Sequence, residues 1–93
     1  MKQLFLIHLG YYDEVSSGTY ECHTNMFVVA EDFNDARLKI KENPIVKEKS
    51  MHVDGMLLIE AVNGCTVNLV EDSNLNGGDK ITNNKFRELA PKK

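Results

Sequence analysis

Two short pairs of side chains carry most of the chemistry that this 93-residue chain offers. Glu21 and His23 stand two residues apart, and so do His52 and Asp54. Each pair opens a run with the composition of a strand. Side chains at i and i+2 of a strand point to the same face, so each strand presents an imidazole and a carboxylate together. If the two strands are neighbours there, four donors converge, and His8 near the end of the first apolar run adds a third imidazole. Imidazole with carboxylate suits zinc or iron. The same set suits proton transfer, because a carboxylate beside histidine tunes its tautomer and basicity. The commonest fate of polar residues at strand ends is neither of these, but solvation or a hydrogen bond to loop backbone. Residue types and spacing leave the three open, and the sequence by itself demands no cofactor.

Tyr11, Tyr12 and Tyr20 crowd one loop-like stretch. They fit the lining of a binding pocket, or a cap over the end of a small core with the hydroxyls in water. The standard signatures of catalysis and nucleotide binding are absent. There is no phosphate-binding glycine loop, no Gly-x-Gly-x-x-Gly, no Gly-x-Ser-x-Gly elbow and no His-Glu-x-x-His. The balance leans away from an enzyme and toward a binding module.

The elements that would position these residues follow from periodicity and punctuation. Residues 3–9 are a nearly continuous apolar run, as in a central strand buried on both faces, and Gly10 is expected to end it. A long loop is expected over 11–20, where Asp13, Ser16, Ser17 and Gly18 favour turns. A second strand is expected over 21–30, rich in β-branched and aromatic residues. Asp32 is placed as the N-cap of a helix over 32–43, with Asp35 as the acid of a capping box. Phe33, Ala36, Leu38 and Ile40 supply its apolar stripe, and Asn43-Pro44 stops it. Residues 45–50 are a connection. A third strand region covers 51–62, where Gly55 marks a bulge or a close backbone approach. Asn63-Gly64 is the residue pair of a type I′ hairpin turn. It would pair Val62 with Cys65, Glu60 with Val67 and Leu58 with Leu69, with Leu58, Val62, Cys65, Val67 and Leu69 facing the core.

The expected fold is therefore α+β in ββαββ order, an antiparallel four-stranded sheet with one helix on one face. The domain is expected over 1–71, followed by a polar tail over 72–93 with a short helix at 82–89. One helix cannot cover both faces of such a sheet, so self-association, most simply as a homodimer, is expected.

Composition narrows the partners. Hydrophobic residues make up 42% and charged residues 27%, the ordinary balance of a globular chain. The net charge of −3 divides into −5 over residues 1–71 and +2 over 72–93. Such an acidic body lacks the basic footprint of nucleic-acid binding. The run Leu4-Phe5-Leu6-Ile7 is too short for a membrane span and unlike a signal peptide, so a cytoplasmic location is expected. Cys22 and Cys65, far apart in sequence, are expected as buried free thiols.

Three stretches in order carry a family resemblance: LFLIHLG at 4–10, YECHTNMFVVAEDFNDARLKIKEN at 20–43, and His52-Val53-Asp54 followed by Val62-Asn63-Gly64 and Val67-x-Leu69. Together they resemble the family called domain of unknown function 1543, over about residues 4–70. Tyr11 stands where the family often has a second glycine, and Thr24 where it has an acid. The resemblance implies the α+β fold and the grouping of Glu21, His23, His52 and Asp54, in a domain present once or twice per chain. It implies no reaction. The functions carried forward are a binding module, a metal-binding protein or minor enzyme using the four clustered residues, and a regulatory partner whose tail folds on binding.

Overall fold

Alternation decides which side of the first strand is inside. In the computed structural model, which describes residues 1–15 and 17–84, β1 spans Gln3–Tyr12. Phe5, Ile7 and Leu9 are fully buried on one face, while His8 and Tyr12 on the other are exposed. β1 is the central strand but is covered on one face only. It also runs through Gly10 and both Tyr11 and Tyr12, so the connecting segment is shorter than 11–20. Extended pairing with β2 (Glu21–Ala30) carries the strand past the glycine, from Gln3↔Ala30 to Tyr12↔Glu21 without a break.

β3 (His52–Ile59) pairs antiparallel with the other edge of β1, giving the order β2-β1-β3. The pairing slips once. His8 faces Gly55 and Leu9 faces Val53, so Asp54 is an extra, unpaired residue. This bulge changes the parity of β3. Val53 before it and Met56 and Leu58 after it all pack on the core, while His52 and Asp54 stay together on the outer face. A bulge of this kind re-aims side chains without ending the strand, and Gly55 accommodates it.

The inner face is covered by α1 (Phe33–Lys41) and a second short helix, α2 (Pro44–Glu48). Ala36, Ile40 and Val46 bury against Phe5, Ile7, Leu9 and Ala30, and Phe33 meets Phe5 edge-on at 5.1 Å between ring centroids. Leu38 is exposed. Asp32 is the N-cap, its Oδ1 accepting from the Asp35 amide at 2.7 Å. Asp35 reaches back one residue further than in a capping box, accepting from the Glu31 amide at 3.0 Å. That hydrogen bond, with Lys39 alongside, holds the Asp35 carboxyl below its ordinary value. With the folded-state pKa the lower one, the contact stabilises the fold above the ordinary aspartate range and is lost as pH falls through the depressed value. Proline ends α1 and also begins α2: Asn43 caps the second helix and Pro44 occupies its first turn, where a missing amide costs nothing. Residues 44–48 are thus helical, not a simple connection.

The expected four-stranded sheet is a three-stranded one with a separate two-stranded ribbon. Asn63 and Gly64 have φ of 53° and 78°, as a type I′ turn requires. The turn pairs Val62 with Cys65 and Ala61 with Thr66, forming β4 (Ala61–Val62) and β5 (Cys65–Thr66). The Glu60 carbonyl accepts from the Val67 amide at 2.9 Å. No pairing joins β5 to the main sheet among the described residues, so Val62 and Cys65 are exposed and not core. Cys22 is half-buried, and both cysteines are free. Beyond Glu71 the chain makes a 3-10 turn at Ser73–Leu75. Residues 82–84 lack regular structure, and the rest of the helix expected at 82–89 lies outside the described residues. No helix among the described residues is long and apolar enough to cross a membrane.

The burial pattern makes a directional prediction. Ile7→Ala is expected to lower the unfolding free energy by about 2–5 kcal/mol, as large-to-small changes in a packed core do. Leu6→Ala, one residue away on the uncovered face, is expected to cost well under half as much. Urea unfolding of the two variants checks this, and equal losses would mean that both faces are covered.

Candidate functional site

Cross-strand register brings the two polar pairs together. Gly10 in the central strand pairs with His23 on one side and His52 on the other. Glu21 lies two residues before His23 on β2, and Asp54 is held by the bulge two residues after His52 on β3. Glu21, His52 and Asp54 lean over Gly10, and His23 borders them. His52 Nε2 is 3.2 Å from Glu21 Oε1 and 3.1 Å from Asp54 Oδ1. His23 Nδ1 is 3.2 Å from Asp54 Oδ2, and its Nε2 is 3.6 Å from Glu21 Oε1.

The floor of the cluster is the missing side chain of Gly10. A Cβ there would come within 2.6 Å of His52 Nε2 and within 2.7 Å of both Asp54 Oδ2 and Glu21 Oε1. No residue with a side chain leaves that room. Sequence reasoning took Gly10 for a strand end and missed this role. The usable signal was the one applied to Gly55, a glycine inside an otherwise strand-like run marking a close approach.

His8 joins the edge of the cluster. Its ring stacks on that of His23, with centroids 4.9 Å apart and planes 7° apart. Its Nδ1 is 2.7 Å from Asn25 Oδ1. An amide oxygen only accepts, so Nδ1 carries a proton, and in the neutral ring the lone pair is then on Nε2. Asn25 is a second residue that the sequence did not single out. The three tyrosines share no single site, although Tyr11 and Tyr12 both line a small hollow with Lys49. Tyr12 stands on the cluster's face, its ring centroid 6.5 Å from that of His52. Tyr11 is on the opposite face, under the Lys49 ammonium at 5.0 Å, and Tyr20 is exposed at the mouth of β2.

The arrangement offers imidazole and carboxylate donors of the types that bind a cation. Two carboxylates share a small space, and like charges so placed raise each other's energy. His52 Nε2 faces two carboxylate oxygens with one proton to offer. A single cation at that point satisfies all three atoms at once. No protein-family model matches the chain, and no curated protein or solved structure matches it.

Gly10→Ala tests the floor. Only side-chain tips meet the new methyl group, so the fold is expected to persist with its melting temperature unchanged or raised, since glycine in a strand is entropically costly. The ring nitrogen resonances of His23 and His52 are expected to move as the contacts with Glu21 and Asp54 open. Unmoved resonances in a folded variant would show that the cluster does not rest on Gly10.

Proposed function

We propose that the protein binds a divalent transition metal ion, zinc or iron(II), on the uncovered face of its sheet, with Glu21, His23, His52 and Asp54 as ligands. The observation that carries this is the donor spacing. Ligand bonds of about 2.1 Å set neighbouring donors about 3.0 Å apart in octahedral and about 3.4 Å apart in tetrahedral geometry. The four imidazole–carboxylate distances are 3.1, 3.2, 3.2 and 3.6 Å. Around His52 Nε2, with Glu21 Oε1 at 3.2 Å and Asp54 Oδ1 at 3.1 Å, three donors already sit near the edge lengths of a coordination polyhedron, and His23 would complete the set through one of its ring nitrogens. Their side chains keep 31–46% of their surface exposed. That supports an ion open to exchange with solvent ligands, unlike the closed four-coordinate sites that only staple a fold.

Calorimetric titration with Zn2+ at neutral pH tests the proposal. Wild type is expected to bind with release of protons and to bind more weakly as pH falls, because protons and metal compete for the same nitrogens. The double variant His23→Ala, His52→Ala is expected to lose binding by at least about tenfold, since changes even to residues that only support metal ligands cost that much. Undiminished affinity in the folded double variant would refute the assignment.

A second reading, self-association as a homodimer, is favoured by the apolar half of the same face. Phe27, Leu57 and Val29 are 61%, 60% and 40% exposed there, beside half-buried Leu4, Leu6 and Ile59. Contiguous apolar surface of this kind marks interaction sites. Sedimentation at micromolar concentration is expected to show a dimer that Phe27→Glu dissociates, and a clean monomer of about 10 kDa would remove this reading. The resemblance to domain of unknown function 1543 is part of the proposal in the same sense and adds no reaction to it.

A further inference from the structure

The donors over Gly10 divide into two sets of three that share one residue. His8, His23 and Asp54 each bring a ligand atom within 4.8 Å of the others, and so do Glu21, His52 and Asp54. Asp54 is the common member. Its Oδ2 faces His23 Nδ1 at 3.2 Å, and its Oδ1 faces His52 Nε2 at 3.1 Å. One carboxylate therefore turns a separate oxygen to each of two imidazoles on different strands.

We propose that the site holds two divalent metal ions bridged by the Asp54 carboxylate. One ion takes His8 and His23, and the other takes Glu21 and His52. This rests on the metal-binding reading above and extends it from one ion to two. Paired ions in bridged sites stand about 3.5–4 Å apart, a separation that the two oxygens of one carboxylate span.

His8 supplies an independent observation. A single ion among Glu21, His23, His52 and Asp54 has no use for it. Yet its Nδ1–H is fixed by Asn25 Oδ1 at 2.7 Å, leaving Nε2 as a donor. Metal-bound histidines are held in just this way, through a hydrogen bond from the nitrogen that does not bind the metal. The parallel stack of His8 on His23, with centroids 4.9 Å apart, keeps the two imidazoles side by side.

Charge sets what else such a pair would need. Two divalent ions bring four positive charges, and Glu21 and Asp54 return two negative ones. Each ion has three protein donors in this scheme, so at least one position on each remains for an oxygen ligand from solvent. The bulge is what makes the bridge available: without the extra residue in β3, Asp54 could not share the outer face with His52 while Met56 and Leu58 reach the core.

Stoichiometry decides the matter. Purified protein, freed of metal with chelator, is titrated calorimetrically with Zn2+, and circular dichroism confirms the fold of each variant. Wild type is expected to bind two equivalents. His8→Ala and Glu21→Gln, each stripping one ion of a ligand, are expected to bind one tight equivalent, with the second weakened at least tenfold. Co2+ titration of wild type followed by electron paramagnetic resonance is expected to lose signal per ion as the second equivalent couples to the first. One equivalent in wild type, insensitive to His8→Ala, would overturn the bridged pair and leave single-ion binding standing. No binding at all would overturn both. Two equivalents that persist in both variants, or two ions without magnetic coupling, would place the second ion elsewhere and overturn the pair.

Discussion

The candidate site depends on one absence, the side chain at Gly10. A residue in the middle strand of three has a cross-strand neighbour on each side, and for Gly10 these are His23 and His52. Any Cβ at that point would collide with the tips of Glu21, His52 and Asp54. Glycine in a strand is unfavourable, because the flexible chain loses more entropy on folding and no side chain packs. Here the loss is offset by the sheet itself: β1 is paired along both edges, and Phe5, Ile7 and Leu9 anchor it from the other side. The rigid part of the fold thus tolerates a weak position and uses the space.

Core packing and site geometry are coupled through the bulge at Asp54. β3 must deliver Val53, Met56 and Leu58 to the core and His52 with Asp54 to the opposite face. Simple alternation cannot satisfy both, since 53 and 56 differ by an odd number. One extra residue resolves the conflict, and Gly55 beside it tolerates the local distortion. Removing the extra residue would leave either the core or the site facing the wrong way. The same step in register that completes the core therefore fixes where the second imidazole–carboxylate pair points.

Local chemistry was legible in the sequence, and long-range pairing was not. The i, i+2 spacing correctly placed each histidine and its carboxylate on a shared face. Asp32 and Asn63-Gly64 announced a cap and a turn, because their side chains or backbone preferences act within a few residues. Whether the pairs converge depended on a register between strands 30 residues apart, which no local pattern encodes. The four-stranded sheet failed for the same reason. Asn63-Gly64 fixes the turn, but nothing in Cys65–Thr66 dictates that the returning strand should find a partner in the main sheet. Asn43-Pro44 stops one helix and equally starts the next, so residues 45–50 carry no local signal that separates a connection from a short helix.

The uncovered sheet face changes character along its length. At the end near the 13–20 connection it carries imidazoles and carboxylates over Gly10, and at the other end Leu4, Leu6, Phe27, Val29, Leu57 and Ile59. Helices α1 and α2 cover only the opposite face, and at the apolar end Phe27 and Val29 line an open hollow with Leu69, Val70, Leu75 and Ile81 of the later chain. An ion at the polar end would tie β2 and β3 together across β1, and binding to the folded state alone stabilises it by mass action. The donors come from all three strands, so this stabilisation acts on the sheet as a unit. The proposed ion and the proposed second copy therefore call on different halves of one face.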